Sequence, residues 1–174
     1  MSAIGPVIAA SGSLGLMYAE RLLPGVTAEN FARFARPGGV EIRSNHPAFV
    51  FGHLSLYPTR VMAALDLPTG RTQPPANYEA LFKNGVECRD DPEGTIYPAM
   101  AEVTAFYFEA YRTAVNAVAT AADHLLTRPN PAEGRMRELF PTLGAAVNFY
   151  LGGHVQVHLG QISAWRRMMG LPTA

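Results

Sequence analysis

Cysteine and lysine are almost missing from this chain. Among its 174 residues only Cys88 carries a thiol, and only Lys83 an ammonium side chain. A lone cysteine excludes an intramolecular disulfide framework and any cysteine-rich zinc knuckle. An excess of either charge is also missing, since fourteen basic and fourteen acidic residues cancel. A nucleic-acid binder would show a basic stripe, so nucleic acid is not an expected partner. Charged residues make up 16% of the chain, below the roughly 25% of average folded chains. Apolar residues reach 48%, which excludes intrinsic disorder. No run approaches the roughly 18 apolar residues of a membrane-spanning helix. Residues 1–15 are apolar, but the first cation is Arg21. A signal peptide wants a positive start, so the cytoplasm is the expected compartment. The length suits one domain over residues 1–174. No Gly-x-Gly-x-x-Gly, P-loop or Gly-x-Ser-x-Gly motif occurs, and no repeat.

Proline and glycine are plentiful, and they divide the chain. A helix is expected over 6–23, ended by Pro24-Gly25. Thr27 reads as the cap of a short helix stopping at Pro37, with Val26 and Phe31 placed for a hydrophobic staple. A second long helix is expected from 45 to 67, with Pro47 in its first turn and a kink at Pro58. Residues 67–97 hold four prolines with a fifth at Pro98. Such a loop reads as a crossover, and its length also suits a lid, with one helical turn near 78–83. A third helix is expected over 98–126, with Val103, Phe106, Ala110, Ala114, Ala117, Ala121 and Leu125 as its apolar stripe. A short turn over 133–140 precedes a fourth long helix over 143–169. Arg166 and Arg167 would complement its negative end, and Gly170 and Pro172 stop it. No segment alternates with period two. The expectation is an all-α four-helix bundle with a long crossover loop between helices 2 and 3.

Three of the five histidines carry the chemistry. His154 and His158 are four apart, so they stack on one helix face that is otherwise apolar. Chance gives about 0.14 such pairs at this composition, so the pair is informative without being decisive. His53 stands on an apolar face of the second helix. Facing helices of a bundle can bring the three imidazoles to one point. Three protein ligands plus an open position is the pattern of catalytic zinc. Imidazole also suits nickel, iron and copper. The alternative is a set of neutral core histidines, each needing a partner, because an unpaired buried polar group costs about 1–3 kcal/mol.

Other residues are less specific. His46 lies two turns before His53, about 10.5 Å away along the axis, too far for the same ion. It reads as a helix-start residue, with a role behind the metal ligands or at the substrate as the rival. His124 reads as a surface histidine near a helix end. Gln161 is placed either to hydrogen-bond a ligand or to satisfy the core. Trp165 reads as core packing, with a substrate platform as the rival. Cys88 has Glu87, Asp90 and Asp91 nearby, which argues against a reactive thiolate. No Glu-x-x-His motif of a di-iron bundle occurs.

Two segments resemble the DinB superfamily of metal-binding four-helix bundles, which includes the YfiT-type proteins. One is Asn45-His46-Pro47-Ala48-Phe49-Val50-Phe51-Gly52-His53-Leu54. The other runs from Gly153-His154 through His158-Leu159-Gly160-Gln161-Ile162 to Trp165-Arg166-Arg167 and Gly170-Leu171-Pro172. The resemblance implies a divalent-metal site of His53, His154 and His158, holding zinc, nickel or iron. It also implies a homodimer, which light scattering checks. The activity it implies is a thiol-dependent S-transfer to a small-molecule substrate, using a low-molecular-weight thiol. A metal-dependent hydrolase is the alternative, and so is a non-catalytic, stress-associated bundle whose metal is structural.

Overall fold

The structure is a computed structural model and describes residues 2–174. Among the described residues it is all-helical, with two isolated β-bridges, Ala35–Ile42 and Pro129–Thr142, and no strand. Helix α1 spans Ile4–Arg21, α2 Pro47–Leu54, α3 Pro58–Ala64, α4 Tyr78–Phe82 and α5 Met100–Ala119. Helices α6 (Asp123–Leu126), α7 (Arg135–Leu139) and α8 (Leu143–Asn148) come next. A π-helical turn over Phe149–Gly153 then leads into α9, His154–Met168. Helix α1 lies along α5 and the π turn, while α2 packs on α4, α5 and α9. No helix among the described residues is long and apolar enough to cross a membrane.

Of the four long helices expected, the first runs as α1 and the fourth as α8, the π turn and α9 in unbroken succession, while the second and third are cut short. The expected kink at Pro58 is a full break between α2 and α3. Proline lacks the N–H for the next helical bond, and its ring crowds the carbonyl four residues back. The third helix stops at Ala119, and Ala122 is extended, φ −72° and ψ 141°. Asp123 explains the stop, because its carboxylate accepts the backbone N–H groups of Ala3 and Ile4 and the Ser2 hydroxyl. It thereby caps α1, whose own N-cap residue makes no side-chain bond. The buried stripe of α5 is turned from the expected one and centres on Val103, Tyr107, Ala110, Tyr111, Ala114 and Val118. The short helix expected after Thr27 is only a turn, the Thr27 carbonyl accepting from Phe31 N–H at 2.9 Å. Val26 and Phe31 are buried all the same.

Arg166 stands in the last turn of α9, as expected, but its side chain does more than face the negative helix end. It is buried at the end of α9, where its guanidinium donates to the carbonyls of Leu22, Pro24 and Pro172. It thus ties the end of α1 to the C-terminal segment. Helix α1 approaches α5 closely because Gly12 has no side chain. A Cβ there would stand 2.7 Å from Val115 Cγ2.

The 67–97 segment crosses over between α3 and α5 and is anchored at several points. Helix α4 forms at the expected place, with Tyr78 and Phe82 fully buried. Asp91 accepts the backbone N–H groups of Thr95, Ile96 and Tyr97. Asp90 accepts Phe34 N–H at 2.6 Å and pairs with Arg33 and Arg36. These bonds hold Asp90 down to about 2, although its partial burial acts the other way.

Candidate metal centre

His53, His154 and His158 come together. Each offers one ring nitrogen, and the three nitrogens lie within 4.8 Å of one another. His53 comes from α2, and the other two from the first turns of α9. The closest pair, His53 Nε2 and His154 Nε2, is 3.3 Å apart. Zinc–nitrogen bonds are about 2.0–2.1 Å, so two nitrogens on a tetrahedral zinc stand about 3.3–3.4 Å apart. One edge already fits. His154 and His158 are only half-buried.

Two of the rings have their tautomer set by neighbours. His53 Nδ1 is 2.7 Å from the Phe82 carbonyl, which can only accept, so Nδ1 carries the proton. Its Nε2 lone pair is then free to face the cluster. Such outer partners orient a metal-binding imidazole and raise its basicity. His158 Nδ1 lies 3.2 Å from Gln161 Oε1, which also accepts from Asn45 Nδ2 at 3.0 Å. That chain leaves His158 Nε2 available. His154 Nδ1 is buried without a hydrogen-bond partner, an unsatisfied group of the kind that needs an explanation.

Burial keeps these rings neutral, the form a metal requires. It pushes His154 down to about 3, helped by the neighbouring histidines and by Arg60. His53 and His158 are lowered for the same first reason. Tyr57, one turn beyond His53, places its hydroxyl 3.3 Å from His53 Nε2. Desolvation raises its pKa, so it is a phenol at neutral pH.

The three histidines form one wall of an open cleft of about 460 Å³. Asn45, Phe49, Tyr57, Arg60, Lys83 and Tyr150 contribute to the rest of its lining. No aspartate or glutamate lines it among the described residues. Close approach of α4 depends on Gly52, where a Cβ would stand 2.5 Å from the Phe82 ring. The absence of a side chain beside His53 thus brings the Phe82 carbonyl within reach.

The π turn sets the direction of α9. His154 N–H bonds to Phe149 O, five residues back instead of four. A single such turn inserts one residue and rotates the rest of the helix, and π turns are frequent at functional sites. Residues before and after it therefore do not continue one face, which a fixed helical period cannot reveal.

The remaining candidates separate clearly. Gln161 touches His158. His46 is the N-cap of α2 and is fully buried, accepting Phe49 N–H and facing the Arg89 carbonyl at 2.8 Å. It lies outside the cleft lining. Trp165 is also fully buried away from the cleft, its indole N–H donating to Arg33 O at 2.8 Å. His124 is exposed on the single turn of α6. Cys88 is pushed up to about 11, chiefly by burial. Tyr57, Arg60 and Lys83 are site residues that sequence reasoning does not single out. The i, i+4 spacing of His53 and Tyr57 is the available signal for the first.

Gln161→Leu removes the acceptor for His158 Nδ1–H while keeping the volume. Loss of such an outer partner costs about 10–100-fold in metal affinity. Competition with a chromophoric zinc chelator is expected to show a loss of that order with an unchanged fold; an unaltered affinity would remove Gln161 from the site. No family model matches this chain, no curated protein matches it, and no solved structure matches it.

Proposed function

We propose that the chain is a divalent-metal-dependent enzyme, a thiol S-transferase of the DinB type. The observation that carries this reading is three neutral imidazoles facing an open cleft with no carboxylate in its lining. The four helical arms, α1, α2 with α3, α5, and α8 through α9, are consistent with a four-helix bundle.

A bound divalent ion would lower the pKa of a thiol at its open position, supplying thiolate at neutral pH. His53, His154 and His158 would hold that ion, and the Phe82 carbonyl and Gln161 would keep two of the rings aimed. In the transfer, the sulfur lone pair forms a C–S bond to an electrophilic carbon. The leaving group departs with its bonding pair, and the thiol proton passes to solvent. The Tyr57 phenol borders the cleft and can donate a hydrogen bond to the leaving group. Metal-assisted hydrolysis normally also uses a general base to take a proton from water. The carboxylate-free lining offers no such base, which weighs against hydrolysis and leaves transfer as the preferred reading.

The pH profile of 2-mercaptoethanol alkylation by iodoacetamide, with zinc-loaded protein present, tests this. The midpoint is expected to fall from its free value, above 8.5, to about 7 or below. It should return to the free value in His154→Ala. Cys88, with its raised pKa, stays silent in that range. An unshifted midpoint with zinc bound would overturn the thiol reading.

A further inference from the structure

We infer that this cleft selects ligands bearing a carboxylate, which Arg60 and Lys83 bind beside the three-histidine wall. The inference rests on the proposed metal reading and extends it to the class of ligand. Both charged residues in the cleft lining are cations. The imidazoles are neutral, so a divalent ion held there keeps its full charge. Two further cations beside it weaken metal binding by Coulomb repulsion. That repulsion is offset when the ligand itself is anionic.

Arg60 is close enough to matter. Its guanidinium carbon sits 4.9 Å over the Tyr57 ring, and the Tyr57 hydroxyl reaches His53. Its acidic neighbour, Glu79, stands at 3.8 Å with both side chains about half exposed. A loose exposed pair of this kind is worth little and yields readily to a better partner. Lys83 directly succeeds Phe82, the residue whose carbonyl orients His53. The chain uses arginine thirteen times and lysine once, and that one lysine borders the cleft. Lys83 makes no salt bridge among the described residues. Asn45 and Asn84, also in the lining, add amide donors without negative charge.

Ligand-observed NMR titration with 3-mercaptopropionate and 3-mercaptopropan-1-ol tests this, because it reads binding with or without metal. On zinc-loaded protein the acid is expected to bind about tenfold more tightly than the alcohol, the scale of a charge-assisted hydrogen bond. In the Arg60→Gln, Lys83→Gln double variant the preference should fall below about twofold while alcohol affinity holds. On metal-free protein both ligands bind more weakly, but the acid is still preferred. Equal binding of acid and alcohol overturns the inference, and so does a preference that survives the double substitution. If the protein takes up no zinc, the metal reading fails, and the metal-free comparison still decides the carboxylate preference.

Discussion

Saturating the three-histidine site with zinc is expected to raise the melting temperature by about 10 °C over the chelated protein. Binding to the folded state alone adds about 4 kcal/mol at a thousandfold excess over Kd. For a chain of this length each kcal/mol moves the midpoint by about 2–4 °C. The gain is structural as well as chemical, because the ion would join α2 to α9 across about a hundred residues of sequence. His53 and His154 already stand nitrogen to nitrogen at 3.3 Å. His53→Ala, or His154→Ala with His158→Ala, should abolish the shift. A protein whose melting ignores zinc, nickel and iron alike would have no such site, and the three rings would be core residues.

His46→Ala is expected to be the most damaging single histidine substitution for stability, at about 3–5 kcal/mol. Three losses combine. The N-cap bond to Phe49 N–H is worth about 0.5–2 kcal/mol. The Arg89 carbonyl loses its partner, at about 1–3 kcal/mol. A cavity opens where the ring meets Tyr97 edge-on at 5.0 Å. The midpoint should fall by about 10 °C or more. His46→Asn keeps a capping oxygen and should recover about 1 kcal/mol. A loss in His46→Asn as large as in His46→Ala would show that the cap contributes nothing.

The same residue makes the protein sensitive to acid. Burial pushes His46 down to about 4, against about 6.5 when unfolded. Between those values the unfolded chain binds the extra proton and the native one does not. Stability is therefore complete above about 6.5 and declines as pH falls towards 4, by about 3 kcal/mol for this group. Protonating Nδ1 would also destroy the acceptor that caps α2. The site histidines are lowered too and act in the same direction. The difference between wild type and His46→Asn in the pH dependence of urea midpoints isolates the His46 share. Asp90, held near 2, contributes at lower pH, where its stabilisation is lost below about 3.8.

Much of the site is legible in the sequence because its signals are local. His154 and His158 are four apart, and His53 sits in an apolar helical pattern, so the three can be grouped without knowing any distance. Helix limits set by Pro and Gly, such as the end of α1, are equally readable. The features that escape depend on contacts distant in sequence. Asp123 ends one helix in order to cap another, about 120 residues away. The π turn before His154 leaves no mark in a hydrophobic pattern. Arg60 and Lys83 carry no motif. Their place in one cleft lining comes from α3 and the segment after α4 meeting there. Trp165 and His46 lie near the motifs in sequence, yet their polar atoms are satisfied by Arg33 and Arg89 carbonyls in the core.

Metal content of the untagged protein, purified without chelator and assayed beside the His154→Ala, His158→Ala variant, tests the central claim most directly. The expected result is close to one equivalent of zinc, nickel or iron per chain in the wild type, and under about a tenth in the folded variant. No metal in either protein, with the wild type also failing to take up any of the three on titration, would contradict it.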